Sequence, residues 1–310
     1  RLPEERAAAE AYERSRTEVE KEGFNFALSK TMDLWYAHQG TTVFMLTQLP
    51  EGSERAVGYA ESGWTTYERC SAEQIKKAWL NEAQWRLVLD LGVVEAEAQA
   101  AARNWPVGPD DFDMLIEAKK FTNGADKGSV KTLFRKMSIN QLSSIKELDF
   151  YNAGMQPPSV EDGRRLGGCL SLCSNLEILG LQDVGMSDEA CKAMWMNLDI
   201  GALAQVKDLH LSHNQIGDEG MASFSKALAR GALAQLTFLS LEHNKIGDQG
   251  IKSFSTALAG GAVAQLQIIG LGTNQIGDEG IESFSAALVS GTMAQLKRLA
   301  LDGNQIGDEG

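Results

Sequence analysis

The sequence predicts an α/β fold built mainly from a repeating strand–helix unit. The stretch NQIGDEG occurs at Asn214, Asn274 and Asn304, and NKIGDQG occurs at Asn244, so the period is 30 residues. An apolar LxxLxL pattern precedes each copy, and a segment such as IKSFSTALAGGAVAQ follows it. Since one strand and one helix cannot bury their apolar faces alone, neighbouring units must stack. We expect a solenoid over residues 141–310, with parallel strands on the concave side and helices on the convex side, after a smaller and incomplete α/β domain.

The strand motif can be followed through six units. They are Ile145/Leu148/Phe150, Leu176/Leu179/Leu181, Val206/Leu209/Leu211, Leu236/Leu239/Leu241, Leu266/Ile269/Leu271 and Leu296/Leu299/Leu301. Alternate residues of a strand point to opposite sides, which predicts inward leucines and outward neighbours. In the helical segments, Ile251, Phe254 and Leu258 have the spacing of one buried helix face, as do Ile281, Phe284 and Leu288. We expect the glycines of IGDEG to make a tight turn and its aspartate to be the N-cap of the helix that follows.

These motifs resemble the leucine-rich repeat family, and the long unit is similar to the ribonuclease-inhibitor-like class. The resemblance implies a ladder of asparagines that cap backbone groups between units: Asn214, Asn244, Asn274 and Asn304. Ala153 and Val184 occupy this position in the first two units, where the ladder should be missing. The sixth unit ends before its helix, so we expect either that the natural protein continues or that the fragment stacks end to end.

Parallel stacking would align the outward residues of the six strands in columns. The first column reads Glu147, Ile178, Asp208, Phe238, Ile268, Arg298; the second reads Asp149, Gly180, His210, Ser240, Gly270, Ala300; the third reads Tyr151, Gln182, Ser212, Glu242, Gly272, Asp302. Apolar side chains beside small residues, which should leave the sheet accessible, predict a partner site. Its candidate residues are Tyr151, Ile178, Asp208, His210, Phe238, Glu242, Ile268 and Arg298. The alternative is that these apolar residues are scattered on the surface or covered by the N-terminal region.

Composition narrows the choice of partner. The net charge of −13 argues against nucleic acid, and no apolar run is long enough to cross a membrane. Residues 141–310 hold 20 acidic and 11 basic residues, so their net charge is −9 and a basic or amphipathic protein partner is expected. The four cysteines are too few for a disulfide framework, which favours a reduced, cytoplasmic location with Cys169, Cys173 and Cys191 in the core. His213 and His243 lack a complete ligand set, so neither a metal nor a cofactor is predicted.

The 30-residue repeat motif does not occur in the first 140 residues. We expect an exposed charged helix over 1–23, a partial α/β domain over 24–105 with strands near 41–49 and 85–94, and a helical connector over 106–140. Ser71 and Gln74 have capping-box spacing. Trp64 and Glu68 form a W-x-x-x-E stretch that resembles TIR-type domains. The resemblance implies that Glu68 corresponds to the catalytic residue of NAD-cleaving members, although Thr65 replaces the usual cysteine and the opening strand is absent.

Three functions follow from these observations. The first is a non-catalytic interaction module that binds a protein partner on the concave face. The second is a GTPase-activating role, since long repeats of this type resemble those of the Ran GTPase-activating protein, with Arg298 a candidate by position alone. The third is a TIR-like NAD-cleaving or immune-type sensor in which the repeats act as the sensor. GTP hydrolysis assays, or NAD assays with Glu68→Ala as control, distinguish them.

Overall fold

The computed structural model describes residues 17, 43–45, 61–74, 76, 79–80, 85–86, 88–90, 104–121, 124, 126–151 and 155–308. The first part contains β1 (Val43–Met45), α1 (Gly63–Glu73), β2 (Trp79–Leu80), β3 (Trp85–Arg86), β4 (Val88–Asp90), α2 (Pro109–Glu117) and α3 (Asp126–Ser144). The second part alternates β5 (Glu147–Asp149), α4 (Val160–Ser171), β6 (Ile178–Gly180), α5 (Asp188–Met196), β7 (Asp208–His210), α6 (Asp218–Ala229), β8 (Phe238–Ser240), α7 (Asp248–Ala259), β9 (Ile268–Gly270), α8 (Asp278–Val289) and β10 (Arg298–Ala300). In the described segments, no helix combines the length and the apolar character that crossing a bilayer requires.

The predicted solenoid is confirmed as a parallel six-stranded sheet whose strands follow chain order from β5 to β10. The strands pair in register. One row across the sheet therefore contains Leu148, Leu179, Leu209, Leu239, Ile269 and Leu299. A helix connects each strand to the next, and the helices of neighbouring units pack side by side. This is the arrangement in which a strand and a helix bury their apolar faces against the adjacent unit.

One continuous apolar core runs through the repeats. The inward leucines of β6 to β9 are fully buried, and so are the helix residues Phe224, Phe254 and Phe284. The rings of these three phenylalanines stack in a row, with centroids 6.0 and 6.5 Å apart, and the Trp195 ring lies 4.8 Å from that of Phe224. Because each ring packs against the ring of the next unit, these contacts join the helices of neighbouring units.

A ladder of asparagine side chains links the backbones of successive units. The Nδ2 of Asn244 donates to the carbonyls of Leu211 and Leu241 at 2.9 and 3.0 Å, and its Oδ1 accepts from the Ile216 amide at 3.1 Å. Asn214, Asn274 and Asn304 make the corresponding bonds in their own units. Each amide therefore satisfies buried backbone groups of its own unit and of the preceding one. In the second unit the position is held by the apolar Val184, and Ala153 lies outside the described residues.

The aspartate of the IGDEG turn caps a different helix from the one predicted. Asp218 is the first residue of its own helix α6, and its Oδ1 accepts the amides of Gly247 and Gly250, both at 2.8 Å, at the start of helix α7. Asp188, Asp248 and Asp278 repeat this contact with the next unit. The prediction that each aspartate is the N-cap of its own helix is therefore wrong, and the residue at that position is glycine. A Cβ on Gly250 would lie 2.7 Å from the Asp218 carboxylate, so close approach requires this glycine.

The segment 104–108 and helices α2 and α3 contact the first unit of the solenoid. Trp105 lies in the repeat core, where its Nε1 donates to the Gln156 carbonyl at 2.9 Å and its ring lies 5.3 Å from Phe150. An ion pair joins Asp111 of α2 to Arg164 of α4. A second core consists of Tyr67, Cys70, Val107, Phe112, Ile116, Val130, Phe134 and Met137. Helices α1, α2 and α3 share this second core, and the segment 104–108 contributes Trp105 to the repeat core and Val107 to the second core.

The N-terminal strands show part of the expected pattern. Strand β1 lies within the predicted strand 41–49 and pairs in parallel with β4, whereas the predicted strand 85–94 contains the two short strands β3 and β4. The capping box at Ser71 is wrong: Ser71 lies inside α1, where its hydroxyl donates to the Tyr67 carbonyl at 2.7 Å, and Gln74 is the C-cap. The predicted helix over 1–23 lies outside the described residues except for Thr17.

Replacing Asn244 by leucine should lower the free energy of unfolding by about 1–3 kcal/mol, because buried carbonyl and amide groups in two units lose their partner. Urea denaturation of the purified chain measures the change. The matched control is Gln275→Leu, which alters an exposed residue in the next turn and should leave the unfolding midpoint in place. Equal midpoints for the two variants would contradict the ladder.

Asp218→Ala should cost about 0.5–2 kcal/mol, since the first amides of helix α7 lose their acceptor. Asp308 has the same position in the sixth unit, and no amide in the described part of the chain donates to it. Asp308→Ala is therefore the control and should be neutral in the same thermal or urea measurement. A loss of stability that is equal at the two positions would show that the cap between units is not the cause.

Candidate functional site

The face of the sheet opposite the helices presents the three columns of outward side chains. Strand pairing aligns the first column in the order Glu147, Ile178, Asp208, Phe238, Ile268, Arg298, and the second column from Asp149 to Ala300. Beyond the strands, the amide of His213 donates to the Glu242 carbonyl at 2.9 Å, and the amide of His243 donates to that of Gly272 at 3.0 Å, which keeps the third column aligned. The candidate binding residues thus lie on one continuous surface.

Three large apolar side chains lie on this surface. Ile178, Phe238 and Ile268 are half-buried in the first column, on strands β6, β8 and β9. The His210 ring lies 5.0 Å from the Phe238 ring at an angle of 41°, so these two candidate residues pack against each other. Partial exposure of three large apolar side chains on a sheet face leaves area that a second molecule can cover.

Carboxylates cover the glycines of the second column. A Cβ on Gly270 would collide with the Glu242 carboxylate, and one on Gly180 would collide with that of Asp149. Both glycines are buried, and the Ser240 hydroxyl also donates to Glu242. The expectation that small residues leave the sheet accessible is therefore wrong at these positions, because acidic side chains of the third and second columns lie over them. The glycines give room to the carboxylates and not to solvent.

The surface carries charges without a counter-ion. In the described part of the chain, none of Asp208, Glu242 and Arg298 forms an ion pair. The nearby Lys207 is already engaged, since its Nζ lies 2.8 Å from Glu177, which Lys146 also contacts at 2.9 Å. Hydrogen bonds from these two lysines lower the pKa of Glu177 to about 2. Arg298 is exposed on the last strand, and Tyr151 is 41% exposed beyond the first.

The turns after five of the strands share a backbone conformation that was not predicted from the sequence. The residue before the ladder position has positive φ in five units, with values from 51° to 70°. These residues are Asp183, His213, His243, Thr273 and Gly303. The His213 and His243 rings stack with centroids 4.2 Å apart, and both side chains are exposed. Asp, His and Gly tolerate this conformation well, so their recurrence before the ladder position was the available signal; the β-branched Thr273 does not fit that signal.

The cysteines of the repeats are unsuited to surface chemistry. Cys169, Cys173 and Cys191 are fully buried free thiols. Burial raises the pKa of Cys173 and of Cys191 to about 12, and it raises that of Cys169 further. They are therefore protonated at neutral pH and act as small core residues.

The W-x-x-x-E stretch lies on α1, which packs against helices α2 and α3. The Trp64 Nε1 donates to Asp126 of α3 at 3.1 Å, and its ring meets that of Tyr67 edge-on at 6.2 Å. Glu68 is half-buried on the same helix. The tryptophan thus contributes to the helix packing, while a catalytic role for Glu68 stays a prediction.

The comparisons with known proteins concern the repeats. The model of the Leucine Rich repeat family matches residues 206–225, 234–255, 266–285 and 294–310. No curated protein sequence matches the chain.

Two solved structures are similar to this chain at low identity. An internalin (inlF) from Listeria monocytogenes is 18% identical with a TM-score of 0.19, and the match covers 55% of this chain and 84% of the internalin chain. TLR13, solved in a complex with ssRNA13, is 14% identical with a TM-score of 0.21, and the match covers 55% of this chain and 31% of the TLR13 chain. The family match and the parallel sheet with alternating helices agree on the architecture. The C-terminal part of this chain is built from leucine-rich repeats.

Proposed function

We propose that this chain is a non-catalytic module that binds a protein partner on the concave face of its repeats. Leucine-rich repeat proteins generally act as protein–protein interaction modules. The observation that carries the proposal is the row of half-buried Ile178, Phe238 and Ile268 on a sheet face that also holds the unpaired charges of Asp208 and Arg298. Apolar side chains offer a partner area to bury, and the charged side chains in the same row can orient that partner.

The rigidity of the repeats supports this role. The ladder bonds, the caps between units and the stacked phenylalanines hold the outward side chains at fixed spacing. A surface that is ordered before binding loses little conformational entropy when the partner arrives, so more of the contact energy appears as affinity.

Charge indicates the class of partner. The net charge of −9 over residues 141–310 repels nucleic acid phosphates and attracts a basic or amphipathic protein surface. Electrostatic attraction of this kind acts mainly on the association rate, which should therefore fall as salt is added. The free, buried thiols fit a reducing location such as the cytoplasm, which we include in the proposal.

The double variant Phe238→Glu/Ile268→Glu should abolish capture of partners from a cell lysate, because two carboxylates replace adjacent apolar side chains of the face. Captured proteins are quantified by mass spectrometry against the unsubstituted chain. The control is Val289→Glu, which makes the same kind of change at a residue that is 86% exposed at the end of helix α8. Thermal unfolding of all three proteins verifies that the fold is retained. Capture that survives in the double variant but not in the control would move the site to the helix side.

A further inference from the structure

The residues of the first column are evenly spaced along the concave face. Ile178, Asp208, Phe238, Ile268 and Arg298 lie on five consecutive strands paired in register. Since neighbouring strands lie about 4.8 Å apart, the step from Ile178 to Phe238 is about 9.6 Å and that from Ile178 to Ile268 is about 14 Å. Any single partner element that contacts all three apolar residues must present side chains at this spacing.

An α-helix that lies across the strands meets the requirement. With a rise of 1.5 Å per residue, seven residues span about 10.5 Å and ten residues span about 15 Å. Positions i, i+7 and i+10 or i+11 also lie on one face of a helix. An extended segment does not fit, because about 9.6 Å corresponds to three residues of a strand, and side chains three residues apart point to opposite sides.

The charged residues of the column specify the remaining positions. The partner helix is numbered from the residue i that lies opposite Ile178. Asp208 lies one strand from both Ile178 and Phe238, so it is opposite position i+3 or i+4. Arg298 lies one strand beyond Ile268, opposite about position i+14. Neither side chain has an ion-pair partner within the described chain, so each is available to a partner of opposite charge. Glu242, whose carboxylate lies over Gly270 beside the same row, adds negative charge on the flank.

We propose that the concave face binds a basic amphipathic helix that lies across the strands. The helix carries apolar residues at i, i+7 and i+10 or i+11, Lys or Arg at i+3 or i+4, and Asp or Glu near i+14. This assignment rests on the proposed function and deepens it by naming the partner element. The apolar residues cover Ile178, Phe238 and Ile268, and the two charged residues pair with Asp208 and Arg298.

A synthetic helical peptide of about 18 residues with this pattern tests the assignment by fluorescence anisotropy. The control peptide has the same composition, with the apolar residues distributed around the helix. The patterned peptide should bind on the order of tenfold more tightly or better, and Phe238→Glu should remove the difference while Val289→Glu should leave it unchanged. Equal affinity for the two peptides would overturn the proposal.

A charge exchange tests the register. Asp208→Lys should weaken binding of the patterned peptide by on the order of tenfold, and a peptide with Glu in place of the basic residue should recover much of that loss. Absence of recovery would overturn the assignment of Asp208 to that position. If the patterned peptide fails while a captured protein still requires Phe238 and Ile268, the helix assignment is wrong and the interaction module stands. If neither depends on these two residues, both proposals fail.

Discussion

The structure depends on hydrogen bonds that cross from each repeat to the next. Asn244 serves carbonyls in two units, and Asp218 serves amides at the start of the next helix. Each side chain has partners about one period away, and these contacts form only when two units are stacked. Because the backbone groups involved are buried or at helix ends, an isolated unit would leave them without partners. Stacking is therefore imposed by polar groups as well as by the leucine core.

This constraint has a direct consequence for the concave face. Stacking in register converts a 30-residue sequence period into a spacing of one strand, so residues far apart in the chain form a regular row. Ile178 and Ile268 differ by 90 positions in sequence, yet only two strands separate those that carry them. The carboxylates of Asp149 and Glu242 lie over glycines of the neighbouring strands and add charge to the same surface. The proposed partner helix follows from this fixed spacing and from the unpaired charges.

Much of the repeat fold could be predicted from the sequence, because the same apolar spacing recurs in each 30-residue unit. Equal units that stack in the same way also pair their strands in register. The contacts that escaped prediction are those that depend on an adjacent unit. The position of Asp218 in IGDEG indicates a local N-cap, and only the stacked geometry brings it to Gly250 instead. The sequence likewise suggests that Gly270 leaves the sheet open to solvent, because only the stacked structure shows that the Glu242 carboxylate lies over it. In the N-terminal part no repeat reinforces the pattern, so Ser71, a good local capping residue, lies inside helix α1 because tertiary packing extends that helix.

Amide hydrogen exchange tests the central claim most directly. The amides of Ile216 and Ile246 lie in turns, where exchange is ordinarily fast, and each donates to an asparagine of the next unit. The amides of Leu241 and Leu271 directly follow strands β8 and β9 and donate to the carbonyls of Gly270 and Ala300 in the next unit. If bonds between units hold the solenoid together, the amides of Ile216 and Ile246 should be protected as strongly as these two, since all four open only when units separate. Rapid exchange at Ile216 and Ile246, with the amides of Leu241 and Leu271 still protected, would contradict the account.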